Sequence, residues 1–263
     1  MIKFCSLFSG SSGNAIFFRK DNTKILIDAG LSGKKIAQAL ASIGESPSEL
    51  NAILISHEHI DHIKGAGILS RRYNIPIYAN AGTWESMKDM IGSVASENIG
   101  IFDTGCEFEI GDVGIKSFPI PHDAAEPVGF NLFAENKKVT VATDIGHVNK
   151  TLVNYLEMSD LILLESNHDT EMLRIGSYPW PLKQRISGGL GHLSNDMAGK
   201  VACYLAQKGT RRFLLGHLSQ ENNFPELAYQ TVYNALCESK AEVDRDIMLG
   251  VAARNCVSKV VEL

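Results

Sequence analysis

The chain has 263 residues, 44% of them hydrophobic and 21% charged, with a formal net charge of −5. That length is long for one domain and short for two, and the apolar content suffices for a sizeable core. The acidic balance argues against a general nucleic-acid coat held by bulk charge, and no run approaches the roughly 20 apolar residues of a membrane span.

In chain order, apolar runs and alternation predict strands at 2–8, 14–19, 24–28 and 52–56, with helices over 33–42 and 62–72. Strands follow at 77–79, 99–102, 107–110, 113–119, 128–135 and 137–142. The second half alternates helix 149–157, strand 160–165, helix 195–208, strand 211–216, helix 225–238 and strands at 246–250 and 257–261. No repeat, low-complexity stretch or linker interrupts this order, so 1–263 is expected to be a single domain. The apolar run from Met1 to Leu7 is too short for a signal peptide and breaks at Ser9-Gly10-Ser11-Ser12-Gly13. Five cysteines (Cys5, Cys106, Cys203, Cys237, Cys256) are scattered without any Cys-x-x-Cys. That usage fits free thiols in a reducing cytoplasm rather than a disulfide framework or a metal site.

The strand at 52–56 runs directly into His57-Glu58-His59-Ile60-Asp61-His62. Three imidazoles and a carboxylate so close together are costly to pack unless a cation balances them. Neutral imidazole and carboxylate suit zinc, manganese and iron. His57 and His59 can face one way on an extended segment, while Asp61 and His62 follow a turn and can face a second ion. A zincin helix would need histidine where Asp61 stands, and a Ser-His-Asp set gives no reason for three histidines.

Six strand-like runs deliver an ionisable residue at their C-terminal ends: Asp28, His57, His122, Asp144, Glu165 and His217. Loops at strand ends are where a rigid scaffold presents functional groups. A two-metal hydrolase needs about four ligands per ion and a shared carboxylate. The strongest candidates divide into His57, His59 and His122 for one ion and Asp61, His62 and His217 for the other, with Asp144 bridging. Two divalent cations (zinc or manganese, with iron as a third option) would offset most of the negative net charge.

The remaining polar candidates carry alternatives. Asp28 either orients a ligand or is a turn carboxylate before Gly30. His147 either supports the ligands or lies on the surface. His168 serves a local hydrogen bond or the substrate. His192 precedes Ser194 or Asn195, the N-cap of an amphipathic helix with Met197, Val201 and Leu205 on one face. A histidine there can donate to a phosphate drawn to the helix N-terminus. Arg174, Lys183 and Arg185 join His168, Ser194 and Asn195 as candidate substrate contacts, and Tyr178 and Trp180 can stack on a base or simply pack. The glycine segments 10–14 and 188–191 match neither a phosphate-binding loop nor a dinucleotide fingerprint. Both can still bring backbone N–H groups near the metals.

Together these residues resemble the metallo-β-lactamase superfamily and, within it, the YycJ (WalJ) family of bacterial nucleases. The hexapeptide carries the superfamily. Glu165-Ser166-Asn167-His168-Asp169, Tyr178-Pro179-Trp180-Pro181-Leu182-Lys183-Gln184-Arg185 and Gly191-His192-Leu193-Ser194-Asn195 narrow it, and the likeness runs on to Gly216-His217-Leu218-Ser219-Gln220-Glu221-Asn222-Asn223. The resemblance implies an α/β (α+β) four-layer αββα sandwich with metals at one edge between two sheets. It puts His57, His59, Asp61, His62, His122, Asp144 and His217 on metal-ligand positions, and His192 where the phosphodiesterase branch contacts the scissile phosphate. The implied activity is metal-dependent phosphodiester hydrolysis by a 5′→3′ DNA exonuclease linked to mismatch repair. His192, Asp61 and Asp144 form its catalytic set, hydroxide generated between the metals is the nucleophile, and DNA is favoured over RNA. Asp144 and His192 are 48 residues apart, which leaves no room for the inserted β-CASP domain of RNA-cleaving relatives. The rival readings are an RNase or a small or cyclic-nucleotide phosphodiesterase of the same fold, and a metal-stabilised binding module. The complete ligand set argues against the last.

Overall fold

Alternation on both faces governs the first three strands, β1 (Ile2–Phe8), β2 (Ala15–Lys20) and β3 (Thr23–Ile27). Ile2, Phe4, Ile16, Phe18, Ile25 and Ile27 enter one core, while Cys5, Leu7, Phe17 and Leu26 enter another. A sheet apolar on both faces must be covered on both. The computed structural model, which describes residues 1–239 and 241–263, shows how.

The first half continues with α1 (Gly33–Ser42), β4 (Ala52–Leu54), α2 (Ile60–Ile63), α3 (Ala66–Tyr73), β5 (Ile77–Ala79), α4 (Ala81–Ile91) and β6 (Ile99–Ile101). A meander of β7 (Glu107–Ile110), β8 (Val113–Pro119), β9 (Val128–Ala134) and β10 (Lys137–Ala142) opens the second half. It is followed by α5 (Lys150–Leu156), β11 (Leu161–Glu165), α6 (Thr170–Ile175), α7 (Trp180–Ser187), α8 (Asn195–Gln207), β12 (Arg212–Gly216), α9 (Pro225–Glu238), β13 (Met248–Val251) and β14 (Val261–Glu262).

Two seven-stranded sheets result, ordered β14-β1-β2-β3-β4-β5-β6 and β13-β12-β11-β10-β9-β8-β7. Each is half antiparallel and half parallel. In the first, β14, β1, β2 and β3 pair antiparallel and β3 to β6 pair parallel. In the second, β7 to β10 pair antiparallel and β10 to β13 parallel. The sheets face each other across Phe4, Phe18, Ile27, Phe130, Leu132 and Leu163. Ile36, Leu40, Leu69 and Met87 from α1, α3 and α4 cover the outer face of the first sheet. Leu152, Val201, Leu205, Val232 and Leu236 from α5, α8 and α9 cover the second. Three cores between four layers make an αββα sandwich. No helix among the described residues is long and apolar enough to cross a membrane.

The structure departs from the sequence expectations in places. The helix expected over 62–72 is divided into α2 and α3 around Gly65, whose N–H donates to Ala29 O at 2.7 Å. A Cβ there would lie 2.3 Å from Leu31 O, so this turn of chain is pressed against the loop after β3. Helices α4, α6 and α7 were not anticipated. In α4 only Thr83, Trp84, Met87 and Ile91 are buried, a thin stripe that sequence periodicity does not reveal. The two others are short, and the expected strand at 257–261 shrinks to β14.

Three strand-end residues, Asp28 (φ 60°), Asp144 (φ 62°) and His217 (φ 55°), adopt left-handed backbone. Such a conformation is unfavourable away from glycine. Here it reverses the chain as it leaves β3, β10 and β12, and all three side chains meet at one edge of the sandwich. The loop after β3 is also the support for the hexapeptide. Asn14 N–H donates to Asp61 O at 2.8 Å, and Gly30 N–H donates to Asn14 O at 2.8 Å. A Cβ on Gly30 would sit 1.6 Å from Asp61 O. Gly30→Ala should therefore push Asp61 outward and destabilise the fold by about 1–3 kcal/mol, read from the denaturant midpoint; an unchanged midpoint would show that this packing is slack.

Candidate metal centre

The hexapeptide leaves β4 in extended backbone and then turns into α2, with His59 at the N-cap. His57 and His59 therefore lie before the helix, and Asp61 and His62 within it. His57 Nε2 approaches His59 Nδ1 at 3.1 Å, and His122 Nε2, from the loop after β8, approaches the same atom at 3.3 Å. Asp61 Oδ2 is 3.6 Å from His62 Nε2 and 3.7 Å from His217 Nε2. Asp144 stands between the two groups. Its Oδ2 is 3.4 Å from His62 Nε2, and its Oδ1 is 3.0 Å from His217 Nδ1 and 3.8 Å from His122 Nε2. Within each of three groups (His57, His59 and His122; His57, His62 and Asp144; Asp61, His62 and His217) the donor atoms lie within 4.8 Å of one another.

Most of the imidazoles are held from behind. His62 Nδ1 donates to Asp28 Oδ2 at 2.8 Å. Asp28 also accepts from Ser56 N–H at 2.8 Å and from the Ser56 hydroxyl at 2.9 Å. His57 Nδ1 donates to that hydroxyl at 3.0 Å, and His122 Nδ1 donates to Gly191 O at 3.0 Å. With Nδ1 engaged, each ring offers Nε2 to the cluster, the arrangement that orients a metal-binding histidine. Of the two roles open to Asp28, the structure supports the orienting one.

Without a cation, the charges of the cluster are balanced by protons. Burial opposes protonation of His62, but Asp144, Asp28 and Asp61 override it and push its pKa up to about 10. Burial opposes it at His192 too, yet Glu165, by its field and its hydrogen bond, pushes that imidazole up to about 9. At His57 burial and the field of His62 hold the pKa well below the ordinary value. Asp144 is driven well below the ordinary carboxylate range; burial resists this, and His217 and His62 outweigh it. Asp144 Oδ2 and His217 Nδ1 are buried without a hydrogen-bond partner. An orphaned carboxylate oxygen among imidazole nitrogens fits a bound cation that would replace those protons. The spacing fits too, since tetrahedral ligation with metal–nitrogen bonds of about 2.0–2.1 Å separates neighbouring ligand atoms by about 3.3 Å.

Glu165 is the group whose role the sequence reading missed. At the end of β11 it is fully buried and accepts from Ile145 N–H at 2.6 Å, Leu193 N–H at 3.0 Å and His192 Nδ1 at 2.8 Å. It also lies 3.4 Å from His217 Nδ1 and forms a fourth compact donor group with Asp144, His192 and His217. Its place among the six strand-end ionisable residues was the available signal. Ser56 and Asn14, whose Nδ2 lies 3.1 Å from His62 Nε2, gave none.

The proposed substrate contacts are arranged less uniformly. Arg185 donates Nε to Asp123 and lines a cavity beside His192. Lys183 Nζ donates to Arg174 O, tying α7 to α6, and Arg174 pairs with Glu171 on the exposed side. Ser194 caps α8 through Met197 N–H. His168 is buried, its Nδ1 has no partner, and burial lowers its pKa to about 4. Asn195 is buried and committed to Ser166 and Asn223, so burial removes it from direct substrate contact. His147 lies on the surface and donates to Gly189 O.

An αββα sandwich carrying a His/Asp cluster at one edge defines a metallohydrolase-type scaffold of the metallo-β-lactamase fold. A family model described as a β-lactamase superfamily domain matches residues 23–218. Exodeoxyribonuclease WalJ of Streptococcus pneumoniae (serotype 2, strain D39) is 44% identical over 246 residues, covering 93% of this chain and 91% of the pneumococcal one. Exodeoxyribonuclease YycJ of Bacillus anthracis is 39% identical, covering 90% of each chain. Zinc-bound PqqB from Methylobacterium extorquens superposes over the whole of both chains with a TM-score of 0.73 at 16% identity, a likeness of fold. The chain belongs to the β-lactamase superfamily and, within it, to the family of WalJ and YycJ. Divalent-metal binding follows from that membership and from the donor groups.

Two outcomes are expected. Restoring manganese or zinc to chelator-stripped protein at about 100 times its Kd should add ~2.7 kcal/mol of stability, a Tm rise of roughly 5–10 °C that Asp144→Ala abolishes. A melting curve indifferent to metal would exclude the centre. Glu165→Gln should weaken metal affinity about 10- to 100-fold by releasing His192 and His217, measured by calorimetric titration; wild-type affinity would reduce Glu165 to packing.

Proposed function

We propose that this chain is a metal-dependent exodeoxyribonuclease that degrades DNA from the 5′ end, acting in the cytoplasm in DNA mismatch repair. The observation that carries the reading is the 44% identity to the pneumococcal exodeoxyribonuclease over nine-tenths of both chains. The site chemistry supports it. His57, His59 and His122 would hold one divalent cation, Asp61, His62 and His217 a second, and Asp144 would bridge them; zinc and manganese both suit this donor set. Such a pair, when bound, lowers the pKa of water toward neutrality and neutralises charge on a phosphodiester.

The remaining work falls to the chain. His192 lies beside the cluster, its Nδ1 2.8 Å from Glu165 and 3.8 Å from Asp144. With Nδ1 donated to Glu165, Nε2 is the free edge of the ring. That edge is suited to stabilising charge on a phosphate oxygen and to protonating the leaving alkoxide. Asp61 and Asp144 serve as cation ligands, which leaves neither as a free base. Arg185 and Lys183 on α7 offer positive charge to the DNA backbone, and Tyr178 and Trp180 offer rings to its bases. The segment between Asp144 and His192 forms α5, β11, α6 and α7, with no inserted domain among them. This favours DNA over the substrates of the β-CASP ribonucleases.

The test is a time course with manganese and 5′-phosphorylated DNA labelled separately at each end. Immediate release of the 5′ label, with progressive shortening of 3′-labelled fragments, is expected, and His192→Ala should lower the rate by about 100- to 1,000-fold. No cleavage of either label by protein shown to carry two metals would overturn the reading.

A further inference from the structure

A cavity of 180 Å³ opens beside His192. Tyr178 and the α7 residues Leu182 and Ile186 line one side, while Ser11, Asn167 and Ser219 line the other. One wall is thus apolar apart from the Arg185–Asp123 ion pair, and the other carries hydroxyls and an amide. Asn167 is buried, and its Nδ2 donates to His217 O at 2.9 Å. Its Oδ1 accepts no hydrogen bond among the described residues, which leaves an acceptor for a ligand. The two walls come from segments tied to the donor cluster: Ser219 N–H donates to Asn167 O, and Asn167 N–H donates to Leu193 O. His192 itself belongs to both the cavity and the cluster.

The size of the space is informative. Pockets that enclose a whole drug-sized molecule run to about 300–1,000 Å³, so this smaller space suits a unit no larger than one nucleoside. A phosphodiester poised at the cluster beside His192 directs one of its two ester arms into that space. We propose that the cavity receives the 5′-terminal nucleoside of the DNA strand and limits each hydrolytic event to one nucleotide. The proposal rests on the exodeoxyribonuclease reading and adds the element that makes it terminal. Water adds to the phosphorus of the first internucleotide phosphodiester. The P–O3′ bond breaks, and O3′ leaves with a proton on the released nucleotide, whose base and sugar occupy the cavity. The shortened strand keeps the new 5′-phosphate. The apolar wall packs on the base while the Ser11, Asn167 and Ser219 side bonds to its edge or to the sugar.

Ser11 is exposed on a turn and contributes nothing to the donor cluster. Ser11→Phe fills the cavity from one wall, and Leu182→Phe fills it from α7 should the first variant fold poorly. Each is assayed on 5′-labelled linear DNA, with the metal-dependent rise in Tm as the check on folding and metal loading. Mononucleotide release should fall about 100-fold, because the terminal unit can no longer seat and the phosphodiester is displaced. The Tm rise should persist, and added thymidine 5′-monophosphate should inhibit the variants at least tenfold less well than the wild type. Wild-type release rates in a folded, metal-loaded filling variant would overturn the cavity's role alone. Opening of a covalently closed circle by the wild type, or longer fragments as its first products, would overturn the exonuclease reading and the proposal with it.

Discussion

Burying Asp144 is the constraint on which the rest of this structure depends. Its carboxylate lies inside the protein with one oxygen unpaired, facing His62, His122 and His217. An isolated buried carboxylate is expensive. Everything nearby either shares that charge or arranges the groups that do. Asp28 and Glu165 add two more buried carboxylates, each spent on fixing an imidazole. The excess of negative charge, set among imidazole nitrogens, is what suits the site to divalent cations. It also explains why His62 and His192 bind protons so tightly when no cation competes.

The fold meets this demand by repetition. Both sheets change from antiparallel to parallel pairing at an internal strand, β3 in one and β10 in the other. The parallel strands that follow direct their C-terminal ends to the same edge. Asp28 follows β3, and Asp144 follows β10, each in left-handed backbone. The two residues occupy corresponding places in the two halves: one orients His62 from behind and the other faces it from the cluster. Strain at these turns is accepted because the flanking strands are buried on both sides and hold the chain direction.

The proposed substrate contacts lie in a different layer. The cluster edge is built from strands and the short helix α2, whereas α6 and α7 form an attachment beside it, bonded through Lys183 and through Arg185 with Asp123. These short helices contribute little to the cores, so their sequence is free to serve a ligand. Exposed Trp180 and Ile175 belong to this attachment, next to the cavity that His192 shares with the cluster. On the proposed function, this division separates the hydrolytic centre from the wall that would select what enters.

The cluster residues and most strands were legible in the sequence because their signals are local. Alternation or continuous apolar runs mark β1 to β3 and β8 to β12, and a hexapeptide dense in imidazole has few uses without a cation. Residue type and strand position alone drew attention to His122, Asp144 and His217, which the structure gathers from loops as far apart as 95 residues. Helices α4, α6 and α7 were not legible, since short helices with few buried positions leave no periodic trace. Glu165 was visible as a strand-end carboxylate, but its work was not, because its partners Ile145, His192 and Leu193 become neighbours only when β11 is laid beside the two loops. Asn195 reads as a polar residue at a helix start, and only the packing of Asn223 against it shows that it is buried. The sequence by itself thus determined which groups can hold a cation and which strands deliver them. The tertiary structure decided which nitrogen each imidazole presents, which carboxylates stand behind them and where a cavity opens, because those depend on contacts between segments that no local pattern encodes.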